Sequence, residues 1–207
     1  MQRMVGLWAL CVLLLGCDSV SSSQSAPINI AIVPLGKISP TVVQATAAGV
    51  RTLLGEKQVI KRAIKVVVLP PQPLPDVAYH PARQRYFGLK LLDSLAGDAL
   101  MPYDKVLAIT DHDIAIPLGQ QPDWGVFGVA RGRVAVVSRY RLRRGADAQR
   151  LQQRLNAVAV HELGHTFGLP HCNERYCVMR DAQSRLQFIG ESAGQFGAAC
   201  AQQLKPL

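Results

Sequence analysis

The chain has no uncharged apolar stretch of the about 20 residues that a membrane-spanning helix needs. Its longest such run, Met4 to Gly16, stops well short of that. Internal repeats are absent, and low complexity is confined to the serine-rich stretch from Asp18 to Ser25. At 207 residues the sequence lacks the length for two comfortable domains. Acid is also in deficit, 14 Asp and Glu against 23 Lys and Arg, for a net charge of +9. No nucleic-acid fold signature accompanies that basic excess, so nucleic acid is not an expected partner. The densest basic run, Arg139 to Arg144, reads as a solvated face able to rest near anionic lipid headgroups. The expectation is one domain, monomeric.

Histidine is scarce as well, but its distribution is uneven: three of five fall in the eleven residues His161-Glu162-Leu163-Gly164-His165-Thr166-Phe167-Gly168-Leu169-Pro170-His171. His161 and His165 are i and i+4, which on a helix places both imidazoles on one face. Gly168 is suited to end that helix in a left-handed conformation, after which His171 can return to the same point. Three nitrogens leave a fourth tetrahedral position open, as a catalytic zinc requires. Glu162 cannot share the ligand face but can act as general base toward a zinc-activated water of pKa about 7. His80 and His112 read as surface or loop residues, and Asp111 and Asp113 as residues that end and cap a strand.

At the amino end, Arg3 followed by the apolar run to Gly16 has the form of an export signal. Its close, Leu14-Leu15-Gly16-Cys17, resembles the lipobox of bacterial lipoproteins, which implies a lipidated Cys17 and anchoring to a membrane of the bacterial cell envelope. The expected organisation is a signal peptide over residues 1–16, a lipidated cysteine with a flexible tether over 17–27, and one domain over 28–207. Loss of Arg3 with the signal leaves a net charge of 9 − 1 = +8.

Along the domain, Ile28 to Val33 and Ile64 to Leu69 read as buried strands. Between them a helix starts at Ser39-Pro40, carries Val43, Ala47, Val50 and Leu54 on one face, and stops at Gly55. A second helix is expected from Pro81 to Ala96 and a third strand from Asp104 to Thr110. The runs Val126 to Ala130 and Val134 to Ser138, joined by Arg131-Gly132-Arg133, indicate a hairpin and hence one antiparallel strand. A long helix from about Asp147 runs into His161. The fold expected is α/β: a mixed, mostly parallel sheet with one antiparallel edge strand, packed on helices that include the zinc-binding one.

Beyond His171 the chain continues Cys172-Asn173-Glu174-Arg175-Tyr176-Cys177-Val178-Met179, and with this extension it resembles the archaemetzincins. That family is marked by HExxHxxGxxHC, four residues, Cys-x-Met and, 17 residues later, a Cys-x-x-Cys pair. The likeness extends over nearly all of the domain, including Ile109 to Asp113 and Phe127-Gly128. It implies a twisted metzincin-like sheet, a catalytic zinc on His161, His165 and His171, Glu162 as base, and Met179 in the turn beneath the metal. It also implies a second zinc on four cysteines. Here position 197 is Gly197, leaving Cys172, Cys177 and Cys200, so a disulfide among them and a three-thiolate zinc both stay open. The activity implied is zinc-dependent hydrolysis of peptide bonds in peptides or proteins. A zinc-bearing envelope binding protein with little turnover is the alternative, against which the presence of Glu162 argues.

Overall fold

The computed structural model describes residues 25–56, 59–182 and 185–207. The expected export signal, the expected lipidation site Cys17 and most of the expected tether lie outside them.

Four strands form the parallel body of a five-stranded sheet. They are β1 (Ile28–Leu35), β2 (Ile64–Val68), β5 (Lys105–Thr110) and β9 (Val134–Ser138), and β8 (Gly128–Arg131) closes one edge in antiparallel pairing with β9. The order is β2-β1-β5-β9-β8. Parallel strands covered on both faces need apolar residues at every position. Accordingly Ile30, Ile32, Leu107, Ile109, Ala135 and Val137 enter one core, while Ala31, Val33, Val106, Ala108, Val134 and Val136 enter the other. On the first face lie α1 (Pro40–Arg51) and α3 (Ala148–Thr166); on the second lies α2 (Gly88–Ser94).

The hairpin joining β8 to β9 is tighter than its sequence suggests. Arg131 pairs with Val134, so only Gly132 and Arg133 make the turn. The expected helix from Pro81 to Ala96 is shorter. Pro81 opens a single 3-10 turn that ends at Gln84 with φ of 49°. Arg85–Phe87 then forms β4, and helix begins only at Gly88. Tertiary contacts override the helical spacing of the leucines: Arg85 pairs with Asp113, the Tyr86 ring meets His112, and Phe87 stacks on His80.

A second sheet has no counterpart in the sequence reading. It is formed by β3 (Tyr79–His80), β4, β6 (Ile114–Leu118) and β7 (Gln121–Val126), in the order β3-β4-β6-β7. Phe127 alone separates β7 from β8, so this sheet feeds directly into the edge of the main one.

The long helix α3 places the histidines. Asp147 caps it, accepting from the Arg150 N–H at 2.7 Å. Its apolar side, including Leu155, Val160 and Leu163, is fully buried. At the other end the Lys105 ammonium, from the start of β5, donates to Thr166 O and lies 4.8 Å from the Phe167 ring. This cation at the helix carboxyl end offsets its negative pole and fixes the turn that leads into the site.

A candidate zinc centre on the long helix

The carboxyl end of α3 is closed by two hydrogen bonds, Gly168 N–H to His165 O at 2.9 Å and Leu169 N–H to Gly164 O at 3.0 Å. This Schellman closure requires a left-handed residue, and Gly168 has φ of 90°. The chain reverses there and brings His171 back over the helix. The Nε2 atom of His165 lies 3.1 Å from that of His161 and 3.2 Å from that of His171. A tetrahedral zinc, with Zn–N of about 2.0–2.1 Å, spaces its nitrogens about 3.3 Å apart.

Two of the opposite ring nitrogens are hydrogen-bonded to backbone carbonyls, and the third faces a carboxylate. His161 Nδ1 is 2.6 Å from Val178 O, His165 Nδ1 is 2.8 Å from Leu169 O, and His171 Nδ1 is 4.0 Å from the Asp181 carboxylate. Carbonyl oxygens only accept, so Nδ1 of His161 and His165 carries the proton and each Nε2 presents a lone pair. Burial holds His161 down at about 4 and also lowers His165. Both are neutral near pH 7. Lone pairs converging at this spacing repel unless a cation lies between them, so the donor set fits zinc.

Glu162 follows the first ligand on α3 and is 7% exposed. A Cβ at position 128 would come within 2.6 Å of Glu162 Cγ, so glycine lets β8 pass directly over this carboxylate. Burial alone pushes Glu162 up to about 8. A dication on the adjacent histidines would draw that value back down. Met179 is fully buried, and its Sδ lies against Gly164 of α3 where a side chain would otherwise project.

The three histidines and Glu162 open into a cavity of about 450 Å³. Its walls come from β7 and β8 on one side, α3 beneath, and α4 (Leu186–Glu191) on the other. Lining residues that the sequence reading did not single out include Ile116, Trp124, Phe188 and Ile189. Nothing in their local pattern marks them, because they are brought together by the second sheet and by α4.

Cys172, Cys177 and Cys200 also converge. Their sulfurs lie within 4.8 Å of one another, and all three are unbridged thiols. Burial pushes Cys172 and Cys200 up. Among the described residues, neither His80 nor His112 joins a group of potential metal ligands. His80 of β3 stacks on Phe87 of β4, and His112 packs edge-on to Tyr86. The acidic pair at the end of β5 is ion-paired: Asp111 with Arg139 and Arg143, Asp113 with Arg141 and Arg85. The basic run is therefore not simply a solvated face. The Arg139 side chain is only 15% exposed, and its partner Asp111 lies 28 residues away in sequence.

Residues 76–206 match Peptidase family M54. The archaemetzincin of Methanopyrus kandleri is 39% identical over 154 residues, 73% of this chain and 79% of that protein. The archaemetzincin of Halobacterium salinarum is 32% identical over 158 residues, 72% of this chain and 83% of that one. The fold is similar to the crystal structure of the Methanopyrus kandleri protein, with a TM-score of 0.71, 33% identity and coverage of 88% and 96%. It is likewise similar to that of the Archaeoglobus fulgidus archaemetzincin complexed with malonate, with a TM-score of 0.68, 30% identity and coverage of 85% and 99%. A histidine triad of ligand geometry, a buried glutamate beside it and these likenesses together make this chain a member of Peptidase family M54, the archaemetzincin zinc metallopeptidases.

Proposed function

We propose that Glu162 is the general base of peptide hydrolysis here, and that substrate binds as an added strand along β8. The observation that carries this reading is the position of Glu162, sealed beneath the edge strand at Gly128 and opening into the cavity that the histidines share. When bound, zinc supplies Lewis acidity and lowers the pKa of water to about 7. The Glu162 carboxylate takes a proton from the attacking water, whose oxygen bonds to the peptide carbonyl carbon. As the C–N bond breaks, the same carboxylic acid delivers that proton to the departing amine. Strand β8 is the outer member of its sheet, so its backbone groups can hold an extended peptide while alternate side chains enter the cavity. A site for binding without turnover has no use for a base at this position.

A peptide-library digest by the wild-type chain and by Glu162→Ala tests the reading. The variant should keep its zinc and lose activity by at least about 100-fold. Cleavage at the wild-type rate would remove Glu162 from the role.

Tethering to the cell envelope through Cys17 belongs to the same proposal and rests on the Leu14 to Cys17 sequence alone. Replacement by serine should release the protein or leave its precursor unprocessed. An unmodified mature Cys17 in mass spectra from the native host would count against the anchor.

A further inference from the structure

The three-cysteine cluster is one donor short of a closed zinc site, and the structure shows what stands in the gap. Thiolates around a tetrahedral zinc, at about 2.3 Å each, lie about 3.8 Å from one another. Cys172, Cys177 and Cys200 are gathered within 4.8 Å, with Cys177 and Cys200 buried. Backbone amides point at the sulfurs: Met179 N–H donates to Cys177 Sγ at 3.4 Å, and the Glu174 N–H donates toward Cys172. Such bonds stabilise thiolates that hold a metal.

Spacing puts the missing fourth cysteine at position 197. A Cβ built on Gly197 would collide with Glu174 Oε2 and lie 2.6 Å from Glu174 Cδ, so the carboxylate fills the space into which a residue-197 side chain would project. Glu174 reaches there from inside the loop that carries Cys172 and Cys177. It accepts from the N–H groups of Ala198 and Ala199, both at 3.1 Å, at the start of α5 (Ala198–Leu204), the helix that bears Cys200. One amide bond per oxygen leaves each with a free lone pair.

We propose that Glu174 replaces the absent thiolate as the fourth, oxygen donor of a three-cysteine, one-carboxylate zinc site. Zinc accepts carboxylate oxygen at about 2.0–2.2 Å. Glu174 lies outside the group of sulfurs gathered within 4.8 Å, so its exposed side chain must turn inward from the Gly197 position to complete the shell. The formal charge of the site is then −2, as four thiolates would give; a water in the same place would leave it at −1. Glycine at 197 thus leaves free the space that the Glu174 carboxylate occupies.

The test uses the full chain, reduced and freed of metal, with His161→Ala and His165→Ala in every sample to silence the imidazole site. Cobalt(II) should bind at one per chain, with a thiolate-to-metal charge-transfer band and tetrahedral visible bands. Glu174→Gln keeps the side-chain shape and an acceptor for α5. It should leave metal-free thermal stability close to the parent's while weakening cobalt and zinc binding at least about 10-fold and altering the visible bands. Glu174→Ala with Gly197→Cys should recover tight binding with a stronger charge-transfer band, as a fourth thiolate enters. Unchanged affinity and spectrum in Glu174→Gln would show a helix cap only and overturn the proposal. So would the absence of any thiolate band in the reduced chain, or a disulfide among the three cysteines in protein isolated natively.

Discussion

The imidazole cluster and the thiol cluster meet at one peptide bond, His171 to Cys172, yet they are built in opposite ways. Two of the three imidazoles come from one helix at i and i+4, and the third is returned by a glycine closure within the next turn of chain. The thiols come from a loop and from α5, a separate short helix; the residue that fills the fourth corner is 23 positions from the one it displaces. A site built by local geometry has its spacing written in the sequence. One built by tertiary approach does not.

The largest expected effect falls on the local site alone. His165 is the hub, since its Nε2 faces both other imidazoles. His165→Ala should abolish zinc at this centre and all peptidase activity, while cobalt at the cysteines keeps its thiolate band. Metal analysis showing undiminished zinc in the variant would break the assignment. Loss of the thiolate band would show that the two clusters are not independent.

Titration sharpens the contrast next, because burial tunes the imidazole side. In metal-free protein Glu162 holds its proton up to about pH 8, against 4.5 in the unfolded chain. The folded state therefore binds more protons across that interval, and stability declines as pH rises through it. His161 acts oppositely: its value is about 4 folded against 6.5 unfolded, so its contribution grows from pH 4 to 6.5. Between pH 6.5 and 8 only the Glu162 effect remains of this pair. Urea midpoints of the metal-free chain should fall across that range, corresponding to at most about 2 kcal/mol in stability, and Glu162→Gln should flatten the fall. An equal fall in both proteins would mean that the carboxyl is ionised in the folded state.

What the sequence revealed follows the same division. Strands β1, β5 and β9 and helices α1 and α3 are legible because unbroken apolar runs and 3.6-residue spacing are local properties. His161, Glu162, His165 and His171 are legible for the same reason. The stretch from Pro81 to Ala96 misleads, since Leu89, Leu92 and Leu95 suggest one helix whereas the first seven residues are claimed by partners on other segments, such as Asp113 for Arg85. Strands β6 and β7 are hidden by Pro117 and Pro122, which interrupt any alternation. The pairing of Arg139 with Asp111 and the meeting of Glu174 with Gly197 depend wholly on the fold.

Two glycines then allow the clusters to be perturbed one at a time. At Gly164 an added methyl overlaps Met179 Sδ and lies 3.1 Å from its Cε, and Met179 is fully buried. Overpacking of this kind costs about 1–3 kcal/mol, of which alanine's better helix propensity returns about 1. Gly164→Ala should therefore lose up to about 2 kcal/mol in stability and, by pushing Met179 away from the helix that carries the imidazoles, lower zinc affinity there. Stability and zinc affinity equal to the wild type would show that Met179 has room to move and does not support the metal.

At Gly197 the added methyl meets the end of a flexible side chain, so the smallest effect is expected there. The methyl displaces the Glu174 carboxylate from the amides of Ala198 and Ala199, which removes the cap of α5 but creates no clash with fixed backbone. Loss of a helix cap is worth about 0.5–2 kcal/mol, and a short terminal helix should lie near the low end of that range. Because Gly197→Ala and Glu174→Ala remove the same interaction, their costs should not add. In metal-free protein the double variant should be no less stable than the worse single one, whereas at the imidazole centre all three should hold zinc as the wild type does. Additive costs in this cycle would mean that the carboxylate and the glycine act separately.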